Sequence, residues 1–160
     1  MLCLFGGLCV RAETIDRVLA VVAGQMILLS DVTAARDLGL QTPDGTGDPV
    51  RAILEKLIDR ELVLAEVDRY APPEPDAAAI EREAARVRAR FPSSDAFERV
   101  LARSGTDEAH LREMIRQDLR AAAYLDQRFA TAGDRRAQLV ADWLAGLRRR
   151  ADGIDLYVAR

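Results

Sequence analysis

Arg17–Val32 reads RVLAVVAGQMILLSDV, and this stretch decides what kind of fold the chain can have. Arg17–Val22 is rich in β-branched apolar residues, Ala23-Gly24 is a tight-turn pair, and Met26–Leu29 is apolar again. Two such runs around a glycine that tolerates positive φ predict a β-hairpin. Ser30 then stands as a helix N-cap, with Asp31 where a negative charge suits the first turn. That helix is expected to reach about Leu38 and to end at Gly39.

Outward from this stretch the pattern becomes helical. Gln41–Asp48 (QTPDGTGD) is a loop by composition. Asp48-Pro49 opens a long helix, Asp as cap and Pro at the first helical position. Its apolar residues Val50, Ile53, Leu54, Leu57 and Ile58 recur at helical spacing through Leu62 and Ala65. Pro72, Pro73 and Pro75 forbid its continuation. Asp76 caps a helix with Ile80, Ala84, Val87 and Phe91 on one stripe, stopped by Pro92. Ser93 or Ser94 caps a short helix carrying Phe97, Val100 and Leu101, closed by Gly105. Thr106 is expected to cap the next, with Leu111, Met114, Ile115, Ala122, Leu125 and Phe129 along its buried side. After a break at Thr131–Asp134, a last helix carries Leu139, Val140, Trp143, Leu144 and Leu147.

Beyond the Asp152-Gly153 turn, Ile154, Leu156 and Val158 alternate with Asp155 and Tyr157, which is a strand pattern. A lone strand is not stable, so it needs a partner, and only the N-terminal hairpin offers one. The expectation is a mainly α fold of five to six helices. Its small sheet is formed by the N-terminal hairpin and the C-terminal strand, with Ile154, Leu156 and Val158 buried.

Composition narrows the function. The 160 residues, 49% hydrophobic, suit one domain with a real core. Charged residues make up 31% and the net charge is −3, which excludes a disordered polyelectrolyte. Lys56 is the one lysine among 23 basic residues, a bias that fits a GC-rich genome. Acidic residues outnumber basic ones 26 to 23, so no positive field exists to hold nucleic acid.

Leu2–Val10 (LCLFGGLCV) is too short for a membrane-spanning helix, which takes about 20 residues. With Val10 and Ala12 at −3 and −1 of a cut after Ala12, residues 1–12 read as a signal peptide truncated at its N-terminus. Cys3 and Cys9 would leave with it. The expected product is one domain over 13–160, exported to the periplasm without stable membrane insertion. Within it, 13–130 forms the N-terminal part and 135–160 a returning helix and strand.

Little chemistry is expected. His110 is the single histidine, so no zinc set can be assembled around it with cysteine gone. Gly45-Thr46-Gly47 lacks the rest of a phosphate-binding loop. Glu81/Glu83, Asp107/Glu108 and Asp59/Glu61 could be acid–base pairs. Helical Glu interleaved with Arg reads instead as a solvated, ion-paired face. Arg148-Arg149-Arg150 suits the negative end of the last helix dipole. No catalytic residue, metal or cofactor is expected.

The order of these elements resembles the SurA-type periplasmic chaperones. Arg17–Val32 is similar to the start of that N-terminal domain, and Ile53–Val67 (ILEKLIDRELVLAEV) to its long helix. Phe91-Pro92 to Phe97 and Leu111–Phe129 (LREMIRQDLRAAAYLDQRF) are similar to later helices, and Trp143–Val158 to the returning C-terminus. Only Ala130–Arg135 joins the halves, where the family carries parvulin-type isomerase domains of roughly a hundred residues each.

The resemblance therefore implies a chaperone without isomerase activity, whose partners are unfolded outer-membrane or secreted polypeptides. Tyr70, Phe91, Phe97, Met114 and Tyr124 are the candidate peptide-binding residues, because aromatic and flexible side chains suit promiscuous packing. Two rival expectations stand beside it. One is a non-catalytic adaptor that docks a single folded partner in the cell envelope. The other is a peptidyl-prolyl isomerase by family kinship.

Overall fold

The computed structural model describes residues 16–70 and 73–158. The apolar run at 2–10 and the expected cleavage site lie outside them. The described chain is mainly α, with six helices and a small antiparallel sheet of order β2-β1-β3.

Strands β1 (Val18–Val22) and β2 (Gln25–Leu28) form the expected hairpin, with Val22 opposite Gln25. Both turn residues take positive φ, Ala23 at 51° and Gly24 at 82°. This is the mirror-image turn that matches strand twist, and it strains Ala23, which has a Cβ. A register shift between Val18 and Ala20 is a bulge, and there two successive residues, Leu19 and Ala20, are both fully buried.

Helix α1 spans Leu29–Asp37. Its N-cap is Leu28 rather than Ser30: the Leu28 N–H donates to the Asp31 carboxylate at 2.8 Å. Ser30 lies inside the first turn, where its hydroxyl donates to Asp16. The helix ends as expected at Gly39, with φ 67°. The Leu40 N–H reaches back to the Ala35 carbonyl at 2.9 Å and the Gly39 N–H to Arg36 at 3.0 Å, a Schellman closure.

Helix α2 (Pro49–Tyr70) is the spine. Asp48 caps it, accepting from the Val50 N–H at 2.9 Å, and Ile53, Leu54 and Leu57 are fully buried beneath the sheet and α1. At roughly 1.5–3 kcal/mol for each fully buried aliphatic side chain, this stripe is a main source of stability. Helices α3 (Ala77–Arg88) and α4 (Ser94–Arg103) are capped by Asp76 and Ser93. Both pack their apolar stripes, Ala84 and Val87, Phe97 and Leu101, into the same core.

Helix α5 (Glu108–Arg128) is capped by Asp107, which accepts from the His110 N–H at 2.7 Å, and not by Thr106. The Thr106 N–H closes α4 on the Leu101 carbonyl, its hydroxyl is buried without a hydrogen-bond partner among the described residues, and the neighbouring Asp107 carboxylate takes the capping bond. Leu111, Met114 and Ile115 are buried as the stripe demanded. Further on, the buried face shifts to Ala121 and Tyr124, Ala122 is exposed, and Leu125 and Phe129 are half-buried. That half of α5 no longer faces the main core. It packs on the end of α2 and on α6 (Arg136–Arg150), forming a second cluster.

Strand β3 (Ile154–Asp155) closes the sheet by pairing antiparallel with β1, Ala20 opposite Asp155 and Val21 opposite Ile154. Its facing is the reverse of the expected one. Ile154, Leu156 and Val158 are 60%, 52% and 75% exposed, whereas Tyr157 packs half-buried against the core. Polar anchors on α2 decide this. Asp155 pairs with Arg51, and the Tyr157 hydroxyl donates to Asp48, holding its carboxyl below the ordinary value.

Candidate functional site

The second cluster carries a chain of four rings, where the first has only the Phe91–Phe97 pair among the described residues. Tyr70, in the last turn of α2, stacks on Tyr124 of α5 with ring centroids 6.2 Å apart. Tyr124 meets Trp143 of α6 at 6.1 Å, and Trp143 meets Phe129 edge-on at 5.9 Å. Arg128, one turn beyond Tyr124 on the same face of α5, lays its guanidinium over Trp143 at 5.0 Å and over Phe129 at 5.8 Å. It also donates to the Tyr124 hydroxyl at 3.4 Å.

The four rings thus form one ladder that starts in an aliphatic floor of Val63, Leu64 and Val67 and reaches solvent. Tyr70 at its rim is 63% exposed, and Trp143 and Phe129 are half-buried. Each ring pair adds about 0.5–1.5 kcal/mol beyond area burial, so the ladder is pre-formed rather than waiting for a ligand to order it.

The five residues singled out from sequence fall in three places. Tyr70 and Tyr124 belong to the ladder. Phe91 and Phe97 pair at 5.5 Å between α3 and α4, where Phe97 is 1% exposed and covered by the Arg88 guanidinium at 5.3 Å. Met114 is buried in the main core, at the floor of a cleft of about 200 Å³ beside Met26, Glu61 and His110. No single groove joins them. Sequence reasoning missed Phe129 and Trp143, read there as ordinary core, and Arg128. The signal was present: the chain's one tryptophan is the ring that connects the ladder, and Arg128 lies four residues from Tyr124.

Five of the six candidate carboxylates are engaged by arginine, Glu61 by Arg60 at 3.1 Å among them, and Asp107 serves as the α5 cap. Glu81 binds Arg112 at 2.7 Å, Glu83 binds Arg86, and Asp59 binds Arg148 at 2.6 Å. Glu108 lies between Arg88 and Arg112, and its hydrogen bond with Arg88 lowers its pKa most. Half-buried Asp118 goes the other way: desolvation raises its pKa although Arg60 donates to it at 3.4 Å. Arg149 and Arg150 form no ion pair among the described residues.

His110 opens onto a cleft of about 530 Å³ that also holds Asp16, Ser30, Asp31 and Thr106. Its Nε2 is 3.4 Å from Asp31, while the Ser30 hydroxyl donates to Asp16. Serine, histidine and aspartate are therefore side by side here but not linked in series. Among the described residues no group of three or more His, Cys, Asp or Glu is placed to hold a metal ion. No described helix is long and apolar enough to cross a membrane.

No protein-family model and no curated protein matches the chain.

Proposed function

We propose that this chain is a peptide-holding module of the SurA type, which binds unfolded outer-membrane or secreted polypeptides in the periplasm without catalysing isomerisation. The aromatic ladder of Tyr70, Tyr124, Trp143 and Phe129 carries the reading. Tyrosine and tryptophan offer large, rigid contact area at little entropic cost, and they bind many sequences because packing on a ring face needs no particular partner. Arg128 on the rings adds a planar cation that can also stack on a client aromatic. The order of elements resembling the SurA-type domain supports the same reading, and the arginine-paired carboxylates give acid–base chemistry no support.

The test is suppression of aggregation. Two or more unfolded outer-membrane β-barrel proteins are diluted from denaturant with the full chain at substoichiometric and equimolar amounts. Light scattering should fall for each client at equimolar protein. Tyr70→Ala, on the exposed rim, should weaken client binding about 5- to 10-fold, equivalent to roughly 1–1.4 kcal/mol, while stability falls by no more than the roughly 0.5–1.5 kcal/mol of one ring pair. Unaltered scattering with every client, at up to about tenfold molar excess, would overturn the proposal. Turnover in a protease-coupled proline-peptide assay would refute its non-catalytic part.

A further inference from the structure

The outer face of the sheet is apolar and no described residue covers it, and its chemistry indicates a partner. Met26, Val21 and Ile154 are direct cross-strand neighbours, one from each strand, and Met26 is 64% exposed. Leu156 and Val158 extend this row along the edge. Side chains at alternate positions share a face, so Asp155 and Tyr157 point the other way, toward α2.

Backbone groups alternate too. The Leu156 N–H donates to the Leu19 carbonyl at 2.9 Å, so Leu156 and Ile154 spend their backbone groups on β1. Asp155 and Tyr157 therefore turn theirs to the open edge. There the Tyr157 N–H is taken by the Asp155 carboxylate at 3.0 Å, and among the described residues the Asp155 N–H and both carbonyls have no partner.

We propose that this edge is a homodimer interface, in which Ile154–Val158 pairs antiparallel with the same segment of a second copy across a two-fold axis centred on Leu156. The segment is self-complementary in this register. Leu156 faces Leu156 of the second copy, Ile154 faces Val158, and the Asp155 N–H reaches the Tyr157 carbonyl in both directions. Moving the two-fold axis by one residue, a two-residue slide of the strands, sets Asp155 directly against Asp155 in one direction, and like charges opposite each other are destabilising. Sliding the other way leaves Ile154 without an apolar partner.

The union makes one six-stranded sheet and removes the open edge, a standing liability of short sheets. The contact is far smaller than the 20–30 residues a side of a standard interface. The dimer is accordingly weak and concentration-dependent. It is independent of the aromatic ladder on α2, α5 and α6.

Sedimentation velocity of the full chain from about 1 µM to about 1 mM should show the mass rising from 17.6 kDa toward twice that value. Leu156→Asp, at a half-exposed position, should keep the melting temperature and remain monomeric throughout. In a Cys3→Ser/Cys9→Ser background, oxidised Leu156→Cys should give a disulfide-linked dimer, because facing residues of a non-hydrogen-bonded pair lie at about 4.5 Å between Cα atoms. Asp152→Cys should not. A monomer at every concentration, dimerisation surviving Leu156→Asp, or equal cross-linking at positions 152 and 156 would each overturn the proposal.

Discussion

The two hydrophobic clusters of this molecule are built by different rules. The main core joins the sheet, α1 and the first half of α2 mainly through aliphatic residues, with Phe91–Phe97 as its ring pair, and Leu19, Ile53, Leu54 and Leu57 have no solvent contact. The second cluster joins the end of α2, the end of α5 and α6 through rings, and it grades from buried Val67 to open Tyr70. Aliphatic packing closes a core with no polar atom left to satisfy. Ring stacking lets a cluster end in solvent, because Tyr and Trp carry a polar tip. One cluster holds the fold, and the other is stable while partly exposed.

Truncations on the two sides should separate these roles. Leu57→Ala cuts the closed cluster and should cost about 2–5 kcal/mol, read as a lower urea midpoint. A loss under about 1 kcal/mol would remove the distinction between the clusters, since surface substitutions cost that little.

Trp143→Ala cuts the ladder at its connecting ring. Trp143 is half-buried, so the loss should be smaller, about 1–3 kcal/mol, with client binding falling more than for Tyr70→Ala. Unchanged client binding in folded Trp143→Ala would detach the ladder from function. Ala23→Gly should stabilise the hairpin end by up to about 1 kcal/mol by relieving a positive φ, visible as a raised melting temperature.

The smallest effect concerns the strap between β3 and α2. The Tyr157 hydroxyl and the α2 N–H groups lower the Asp48 pKa below its usual 3.8. A lowered carboxylate stabilises the fold above its unfolded pKa, and the contribution fades as pH falls through the folded value. Tyr157→Phe should therefore reduce the urea midpoint slightly at pH 7, and the gap to the parent chain should close as pH falls through the lowered Asp48 value. A gap that persists in acid would mean that the hydroxyl acts through packing rather than through Asp48.

Much of the local structure was legible in advance. Asp48-Pro49, Asp76, Gly39 and the Ala23-Gly24 turn set element ends through backbone geometry confined to a few neighbouring residues. Ser30 and Thr106 misled because each is a good cap in isolation, yet the Ser30 hydroxyl is claimed by Asp16 and the carboxylate of Asp107 takes the bond expected of Thr106. The candidate site was legible only in part. Tyr70 and Tyr124 could be named as aromatic, but nothing in either helix says that Trp143 comes between Tyr124 and Phe129.

The sequence by itself determined five to six helices, a hairpin, and a C-terminal strand that must return to it. All of these follow from period, caps and the instability of a lone strand. Only the tertiary structure decided which face of that strand is buried, where the stripe of α5 turns, and which rings meet. Those outcomes depend on partners far apart in sequence, such as Arg51 for Asp155 and Asp48 for Tyr157. A strand pattern of alternating residues fixes two faces, but a distant ion pair and hydrogen bond choose which of them turns inward.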